Sequence, residues 1–135
     1  MEKSSPHPVR YVLVITNDSR DAKVIRESLA GTGLESFGVE WVCLLSDAID
    51  RLKRLTIATV ILDLSLPDSH GIETFEKVSM TAPRVPILIL SGAEDEETTK
   101  QAMRRGAEDY LPKSHLNSYS LPRAVQTVIA LKIAA

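Results

Sequence analysis

The sequence predicts an α/β protein built on an open, doubly wound parallel sheet of five strands. Short and nearly continuous apolar runs recur along the 135-residue chain, as in strands that are buried on both faces. Segments with helical spacing of apolar residues alternate with these runs. Such βα alternation favours right-handed crossovers and helices on both faces of a parallel sheet. Five strands are too few for a closed eight-stranded barrel, so an open sheet is expected.

The predicted strands are short segments rich in β-branched and aliphatic residues. Four of them are apolar runs that are too short for helices, and the fifth is shorter still. In chain order they are Tyr11 to Ile15, Val39 to Leu45, Ile57 to Leu62, Val85 to Leu90, and Asp109 to Leu111.

The first two predicted helices follow residue types that commonly cap helices. Asp18 or Ser19 is the expected N-cap of the first helix, which has apolar or small residues at positions 22, 25 and 29. Gly31 is the expected stop signal after this helix. Ser46 is the expected cap of the second helix, which has apolar residues at positions 48, 49 and 52.

The remaining three helices are delimited by proline, glycine and the order of charges. The third has Phe75 and Val78 at helical spacing and ends before Pro83. The fourth begins near Glu94, with acidic residues first and basic residues last, which suits the helix dipole. Gly106 is its expected C′ residue. The fifth has a full apolar stripe at positions 121, 124, 125, 128 and 129.

Composition narrows the classes of function. The chain has 18 acidic and 16 basic residues and a net charge of −2, which argues against a sequence-independent nucleic-acid binder. Its single cysteine can form neither an internal disulfide nor a thiolate metal site. No apolar run approaches the roughly 18 residues that span a bilayer, and the polar start MEKSSPHPVR lacks the apolar stretch of a secretory signal. We expect a cytoplasmic protein with a flexible tail over residues 1–9 and one domain over residues 10–135.

Polar residues follow the predicted strands at the edge where ligands bind in doubly wound sheets. These residues are Thr16, Asn17, Asp18, Asp63, Ser91 and Lys113. The set is suited to receive a phosphoryl group, with Asp63 as nucleophile and with Lys113 and Ser91 as donors to phosphoryl oxygens. A hard cation would bind the oxygens after the first strand. Taken singly, each residue has a simpler explanation as a turn residue, a cap or an exposed lysine, but their shared position favours the site.

Three segments resemble the receiver domain of two-component response regulators. They are VILDLSLPDSHG (60–71), PILILSG (86–92) and GAEDYLPK (106–113), and the resemblance extends from about Val9 to Lys132. It implies a flavodoxin-like (βα)5 fold with strand order 2-1-3-4-5. It also implies a phosphoacceptor signalling domain rather than an enzyme, since its chemistry is limited to self-catalysed phosphotransfer and dephosphorylation.

The resemblance implies a role for each matching residue. Asp63 takes a phosphoryl group from the phosphohistidine of a histidine kinase or phosphotransfer protein, and Lys113 pairs with the carboxylate in both states. Ser91 is the switch hydroxyl and Tyr110 the switch aromatic, while the backbone carbonyl of Ser65 helps to bind Mg²⁺. The switched surface consists of the fourth helix, the fifth strand and the fifth helix. This surface would control a partner, an attached C-terminal output domain or a homodimer.

The end of the first strand departs from the receiver pattern. Thr16 and Asn17 stand where receivers usually place two adjacent acidic residues that hold Mg²⁺, and Asp18 follows one position late. The expected metal ligands are Asp63, Asp18, Asn17 and the Ser65 carbonyl, and the loss of two charges predicts weak Mg²⁺ binding. Two interpretations stay open: a phosphoacceptor with poor Mg²⁺ affinity, or a pseudo-receiver that binds partners without phosphorylation. The chain retains Asp63, Ser91, Tyr110 and Lys113, and this favours the phosphoacceptor.

Overall fold

A five-stranded parallel sheet forms the centre of the fold. The computed structural model describes residues 10–30, 32 and 37–134, with side chains described as far as residue 131. Within these ranges the sheet order is β2-β1-β3-β4-β5, which confirms the doubly wound, flavodoxin-like topology. The strands are β1 (Tyr11–Ile15), β2 (Gly38–Val42), β3 (Ile57–Asp63), β4 (Ile87–Ser91) and β5 (Asp109–Pro112).

Helices cover both faces of the sheet. The helices are α1 (Ser19–Leu29), α2 (Leu45–Arg54), α3 (Ile72–Thr81), α4 (Glu96–Arg104) and α5 (Ser120–Ala134). Buried residues of α1 and α5 form one core with the sheet, and those of α2, α3 and α4 form the other. A two-stranded hairpin, Ser65–Leu66 with Ser69–His70, connects β3 to α3. In the described part of the chain, no helix has the length and apolar character needed to cross a membrane.

Alternate residues of each strand enter the two cores. In β1, Val12 and Val14 pack with α1 and α5, whereas Leu13 and Ile15 pack with the three helices on the opposite face. Successive side chains of a strand point to opposite faces of the sheet. Burial on both faces therefore explains the nearly continuous apolar character of the strands.

The start of α2 differs from the sequence expectation. β2 ends at Val42 instead of Leu45, and α2 begins at Leu45 without a cap from Ser46. Asp68, in the turn of the hairpin after β3, accepts hydrogen bonds from the backbone amides of Leu45 (2.8 Å) and Ser46 (3.0 Å). The amide of Leu45 chiefly, and that of Ser46, hold the pKa of Asp68 below its usual value. The predicted Ser46 cap was wrong because a carboxylate from a distant loop satisfies these amides.

Asp18 caps α1, in agreement with one of the two expected alternatives. Its Oδ1 accepts hydrogen bonds from the amides of Arg20 (2.9 Å) and Asp21 (3.2 Å). Gly31 and the predicted tail over residues 1–9 lie outside the described residues. The cap places the first turn of α1 beside the carboxyl end of β1.

The fourth helix begins later than the sequence predicts. A short 3₁₀ turn, Ala93–Asp95, includes Glu94, and α4 starts at Glu96. Gly106 follows the C-cap residue Arg105 with a φ of 117°. This left-handed conformation strains residues that carry a Cβ, and it confirms Gly106 as the C′ residue.

We expect Asp68→Ala to lower the free energy of unfolding by about 1 kcal/mol, because two amides at the start of α2 would lose their acceptor. Urea denaturation measures this change. Asp47→Ala removes a different carboxylate from the first turn of α2 and is the matched control, with an expected loss of about 0.3 kcal/mol. Equal losses in the two variants would show that charge alone, rather than the hydrogen bonds of Asp68, stabilises the helix.

Candidate functional site

Asp63 lies in an open cleft at the carboxyl end of the sheet. It is the last residue of β3 and only 3% of its surface is exposed. The cleft has a volume of about 430 Å³ and is lined by Asn17, Asp18, Ser19, Asp63, Ser65, Glu94, Asp95 and Lys113. Its lining therefore comes from the loops that follow β1, β3, β4 and β5, which is where doubly wound sheets bind ligands.

Two side chains donate hydrogen bonds to the same oxygen of Asp63. The Lys113 Nζ lies 2.8 Å from Asp63 Oδ2, and the Thr16 Oγ1 lies 3.0 Å from it. The other oxygen, Oδ1, accepts a hydrogen bond from the backbone amide of Ser65 at 3.2 Å. A buried carboxylate without such donors would be strongly destabilising. The three donors therefore make burial of Asp63 compatible with a charged carboxylate.

Thr16 connects Asp63 to two other parts of the site. It is fully buried, and its hydroxyl oxygen also accepts a hydrogen bond from the amide of Asp18 at 3.1 Å. Its backbone carbonyl accepts a hydrogen bond from the indole Nε1 of Trp41 at 2.8 Å. The sequence placed Thr16 in the polar set after the first strand, at a position where receivers usually have an acidic residue, whereas the structure shows it as a direct donor to Asp63.

The ammonium of Lys113 also forms an ion pair with Asp21, a residue that the sequence analysis missed. The Nζ–Oδ2 distance is 3.2 Å, and only 18% of the Asp21 side chain is exposed. A signal was available in the sequence, because Asp21 precedes Ile25, an apolar residue of the predicted first helix, by four positions. Residues at this spacing lie on the same face of a helix. Asp21 therefore belongs to the inward-facing stripe of α1.

Lys113 remains charged over the physiological pH range. Burial disfavours its ammonium form, but the hydrogen bond and charge of Asp63, with a further contribution from Asp21, raise the pKa of Lys113 above its ordinary value of 10.5. A raised pKa in the folded state means that the stabilisation is fully present below the unfolded-state pKa. It is lost only as the pH rises through the folded-state pKa. Neutral and mildly acidic conditions therefore leave the ammonium in place.

Ser65 contributes its backbone amide to Asp63 and turns its hydroxyl elsewhere. The Ser65 Oγ lies 3.0 Å from the Nδ1 of His70, across the short hairpin after β3. Gly71 follows the hairpin with a φ of 80°, which allows the chain to enter α3. The hairpin thus holds the Ser65 backbone beside the acceptor.

Ser91 does not contact Asp63 in this structure. Its Oγ lies 3.0 Å from the hydroxyl oxygen of Thr99 on α4, which is buried. Tyr110 is 47% exposed and, with Ser91, Thr99 and Met103, lines a separate groove of about 260 Å³ beside α4. A Ser91 hydroxyl that donates to Thr99 must give up that hydrogen bond before it can donate to a group on Asp63.

The oxygen donors of the cleft fit a hard cation. Asp63, Asp18, Asn17 and Ser65 all line it, and Mg²⁺ binds through carboxylates, carbonyls and water. Asp18 also caps α1, and the amide of Asp21 is the main cause that holds the pKa of Asp18 below its usual value. Within residues 10–30, 32 and 37–134, no group of three or more His, Cys, Asp and Glu side chains is arranged as a metal centre. The donor set therefore combines few carboxylates with neutral oxygens.

Comparison with known sequences found a matching family model and several curated relatives. The family model described as "Response regulator receiver domain" matches residues 12–126. The chain is 33% identical over 102 residues to the cell cycle transcriptional regulator CtrA of Caulobacter vibrioides. It is 36% identical over 102 residues to the cell cycle response regulator CtrA of Brucella ovis. Each match covers 76% of this chain and 43% of the relative, so the chain spans less than half the length of these curated relatives.

Solved structures show the same fold. A response regulator receiver domain protein (CheY-like) from Methanospirillum hungatei JF-1 matches with a TM-score of 0.80 and 18% identity. A response regulator receiver domain protein from Clostridium thermocellum matches with a TM-score of 0.80 and 24% identity. Each comparison covers 93% of this chain and 98% of the other.

We expect a double-mutant cycle on Asp63 and Lys113 to give a coupling free energy of about 2 kcal/mol. Lys113→Met removes the ammonium and leaves the buried Asp63 carboxylate without its cation. Asp63→Asn removes the negative charge that the ammonium neutralises. The double variant should therefore lose less stability than the sum of the two single variants. Urea denaturation of the four proteins measures this difference.

The exposed pair of Glu96 and Lys100 on α4 is the control for this cycle. Its N–O distance is 3.8 Å and both side chains are mostly exposed, so the expected coupling is below about 0.5 kcal/mol. Equal coupling in the two cycles would contradict the conclusion that burial of Asp63 strengthens its contact with Lys113.

Proposed function

The chain belongs to the response regulator receiver domain family, and on that premise we propose that Asp63 accepts a phosphoryl group. The observation that carries the proposal is a buried carboxylate 2.8 Å from a lysine ammonium in a cleft open to solvent. The carboxylate supplies a nucleophile, and the ammonium supplies positive charge where negative charge develops. The proposed donor is the phosphohistidine of a histidine kinase or phosphotransfer protein.

The proposed reaction transfers one phosphoryl group. An oxygen of Asp63 forms a bond to phosphorus while the P–N bond of the donor breaks, and the electron pair of that bond stays on the imidazole. The product is an acyl phosphate with roughly two negative charges and three acceptor oxygens. Lys113 is the cation placed to stabilise this charge. The Thr16 hydroxyl and the Ser65 amide hold the carboxylate in position.

When bound, Mg²⁺ would neutralise part of the charge on the phosphoryl oxygens. Asp63, Asp18, Asn17 and the Ser65 carbonyl would hold the ion. We propose weak binding because Thr16 and Asn17 replace the two acidic residues expected after β1. The hydroxyl of Thr16 and the ammonium of Lys113 stabilise the Asp63 charge without a metal, which partly compensates for that loss.

The added charge would also switch the surface formed by α4, β5 and α5. Phosphoryl oxygens would attract the Ser91 hydroxyl away from Thr99. The buried hydroxyl of Thr99 would then lose its hydrogen-bond partner, which is unfavourable. Because Thr99 belongs to α4, this loss would link phosphorylation of Asp63 to the position of that helix. Tyr110 lines the same groove and is the proposed aromatic that fills the vacated space. A partner, an attached output domain or a homodimer would respond to this surface.

The alternative function is a pseudo-receiver that binds partners without phosphorylation. One observation favours it: Thr16 engages the Asp63 carboxylate directly, where an acidic residue would direct a cation. In addition, Asp18, Glu94 and Asp95 line the cleft and would repel an anionic phosphodonor. The two functions differ in whether Asp63 forms an adduct.

We expect incubation with acetyl phosphate and Mg²⁺ to add one phosphoryl group to the protein, as measured by intact mass spectrometry. Asp63→Asn should abolish the addition because it removes the nucleophile. Asp47→Asn removes a carboxylate from α2 instead and should leave the addition intact. Absence of an adduct on the unmodified chain at saturating Mg²⁺ would favour the pseudo-receiver.

We expect Asn17→Asp to tighten Mg²⁺ binding by roughly tenfold, because the cleft would gain a carboxylate among its oxygen donors. Titration followed by Trp41 fluorescence measures the affinity, since the Trp41 indole is hydrogen bonded to the carbonyl of Thr16. Asn117→Asp makes the same substitution in the loop before α5 and should leave the affinity unchanged. Equal affinities for all three proteins would show that Asn17 does not face the metal.

A further inference from the structure

We propose that Asp21 is a positioning residue that anchors the ammonium of Lys113 before and after phosphoryl transfer. The inference rests on the proposed function of Asp63 as acceptor. Lys113 lies between two carboxylates, with its Nζ 2.8 Å from Asp63 Oδ2 and 3.2 Å from Asp21 Oδ2. One carboxylate belongs to β3 and the other to the first turn of α1.

The burial of one Asp21 oxygen leaves Lys113 as its charged partner. The Asp21 Oδ2 is buried and receives no well-aligned hydrogen bond from any described residue. The ammonium of Lys113 is therefore what compensates for the loss of water around this oxygen. Loss of the ammonium would leave this buried oxygen without a charged partner, which is costlier than the loss of a surface ion pair.

Lys113 needs a second anchor because Asp63 changes during the proposed reaction. A lysine side chain is a flexible four-carbon stem with three rotatable donors, and 30% of this one is exposed. When Asp63 becomes an acyl phosphate, the negative charge that faces the ammonium moves from the carboxylate oxygen to the phosphoryl oxygens. Asp21 takes no part in that bond change, so its contact can hold the ammonium while the charge on Asp63 moves. Since phosphoryl transfer depends mainly on positioning and on electrostatic stabilisation, a fixed ammonium favours the reaction.

The position of Asp21 distinguishes it from a metal ligand. It is absent from the lining of the cleft, which includes Asp18 and Asp63, and it contacts the lysine from the side of α1. Loss of the Asp21 charge should therefore alter the placement of Lys113 without changing the affinity for Mg²⁺. This separation of effects makes the role testable.

The test compares Asp21→Asn with the unmodified chain in phosphorylation by acetyl phosphate. The maximal rate at saturating donor and Mg²⁺ should fall on the order of tenfold, because the ammonium would be less well placed. The Mg²⁺ affinity from Trp41 fluorescence should stay the same, and Asp21→Glu should restore part of the rate. Glu27→Gln removes one negative charge from the same helix, far from the cleft, and should leave the maximal rate unchanged.

Three results would overturn the proposal. An unchanged or faster maximal rate in Asp21→Asn would show that the carboxylate does not assist transfer. A weaker Mg²⁺ affinity would make Asp21 a metal ligand instead. An equal loss of rate in Glu27→Gln would show that the overall charge of α1 matters, rather than the contact with Lys113.

A second measurement separates this proposal from the proposed function. In NMR spectra of the unphosphorylated protein, the Lys113 ammonium should give a slowly exchanging signal that is lost in Asp21→Asn and kept in Glu27→Gln. If the chain forms no phosphoryl adduct but this signal depends on Asp21, the proposed function fails and the anchor stands. If the adduct forms and the signal is the same in all variants, the anchor fails and the proposed function stands.

Discussion

Burial of the Asp63 carboxylate is the constraint on which the rest of the site depends. A desolvated carboxylate needs hydrogen-bond donors or an opposite charge, and no single loop supplies them. Thr16 comes from the end of β1, Ser65 from the hairpin after β3, and Lys113 from the turn after β5. The site is therefore complete only when β1, β3 and β5 end at the same level of the sheet.

The loops around this carboxylate are tied to the helices behind them. Trp41 on the edge strand β2 holds the carbonyl of Thr16, and Asp68 in the hairpin caps α2. On the other side, Ser91 shares a hydrogen bond with Thr99 on α4. A change of charge at Asp63 thus acts on loops whose other contacts are already satisfied, so it must exchange one set of hydrogen bonds for another. Such exchanges are how local charge changes reach a distant surface.

The residues that follow β1 depart from the receiver pattern in their charge. Two neutral residues, Thr16 and Asn17, follow β1, and the nearby carboxylates, Asp18 and Asp21, belong to the start of α1. Asp18 caps the helix and Asp21 pairs with the lysine. Negative charge thus remains near Asp63, but each of these carboxylates has a partner within the protein.

The sheet, its buried strands and the two groups at the centre of the site could be predicted from the sequence. Continuous apolar runs require burial on both faces, and parallel strands bring Asp63 and Lys113 to one edge. The contacts of Asp21, Thr99 and Asp68 became visible only in three dimensions, because each depends on the distance between segments that are far apart in the chain. Local sequence patterns specify which way a side chain faces within its own helix or turn. They do not specify which partner lies opposite, since that depends on how the helices pack on the sheet.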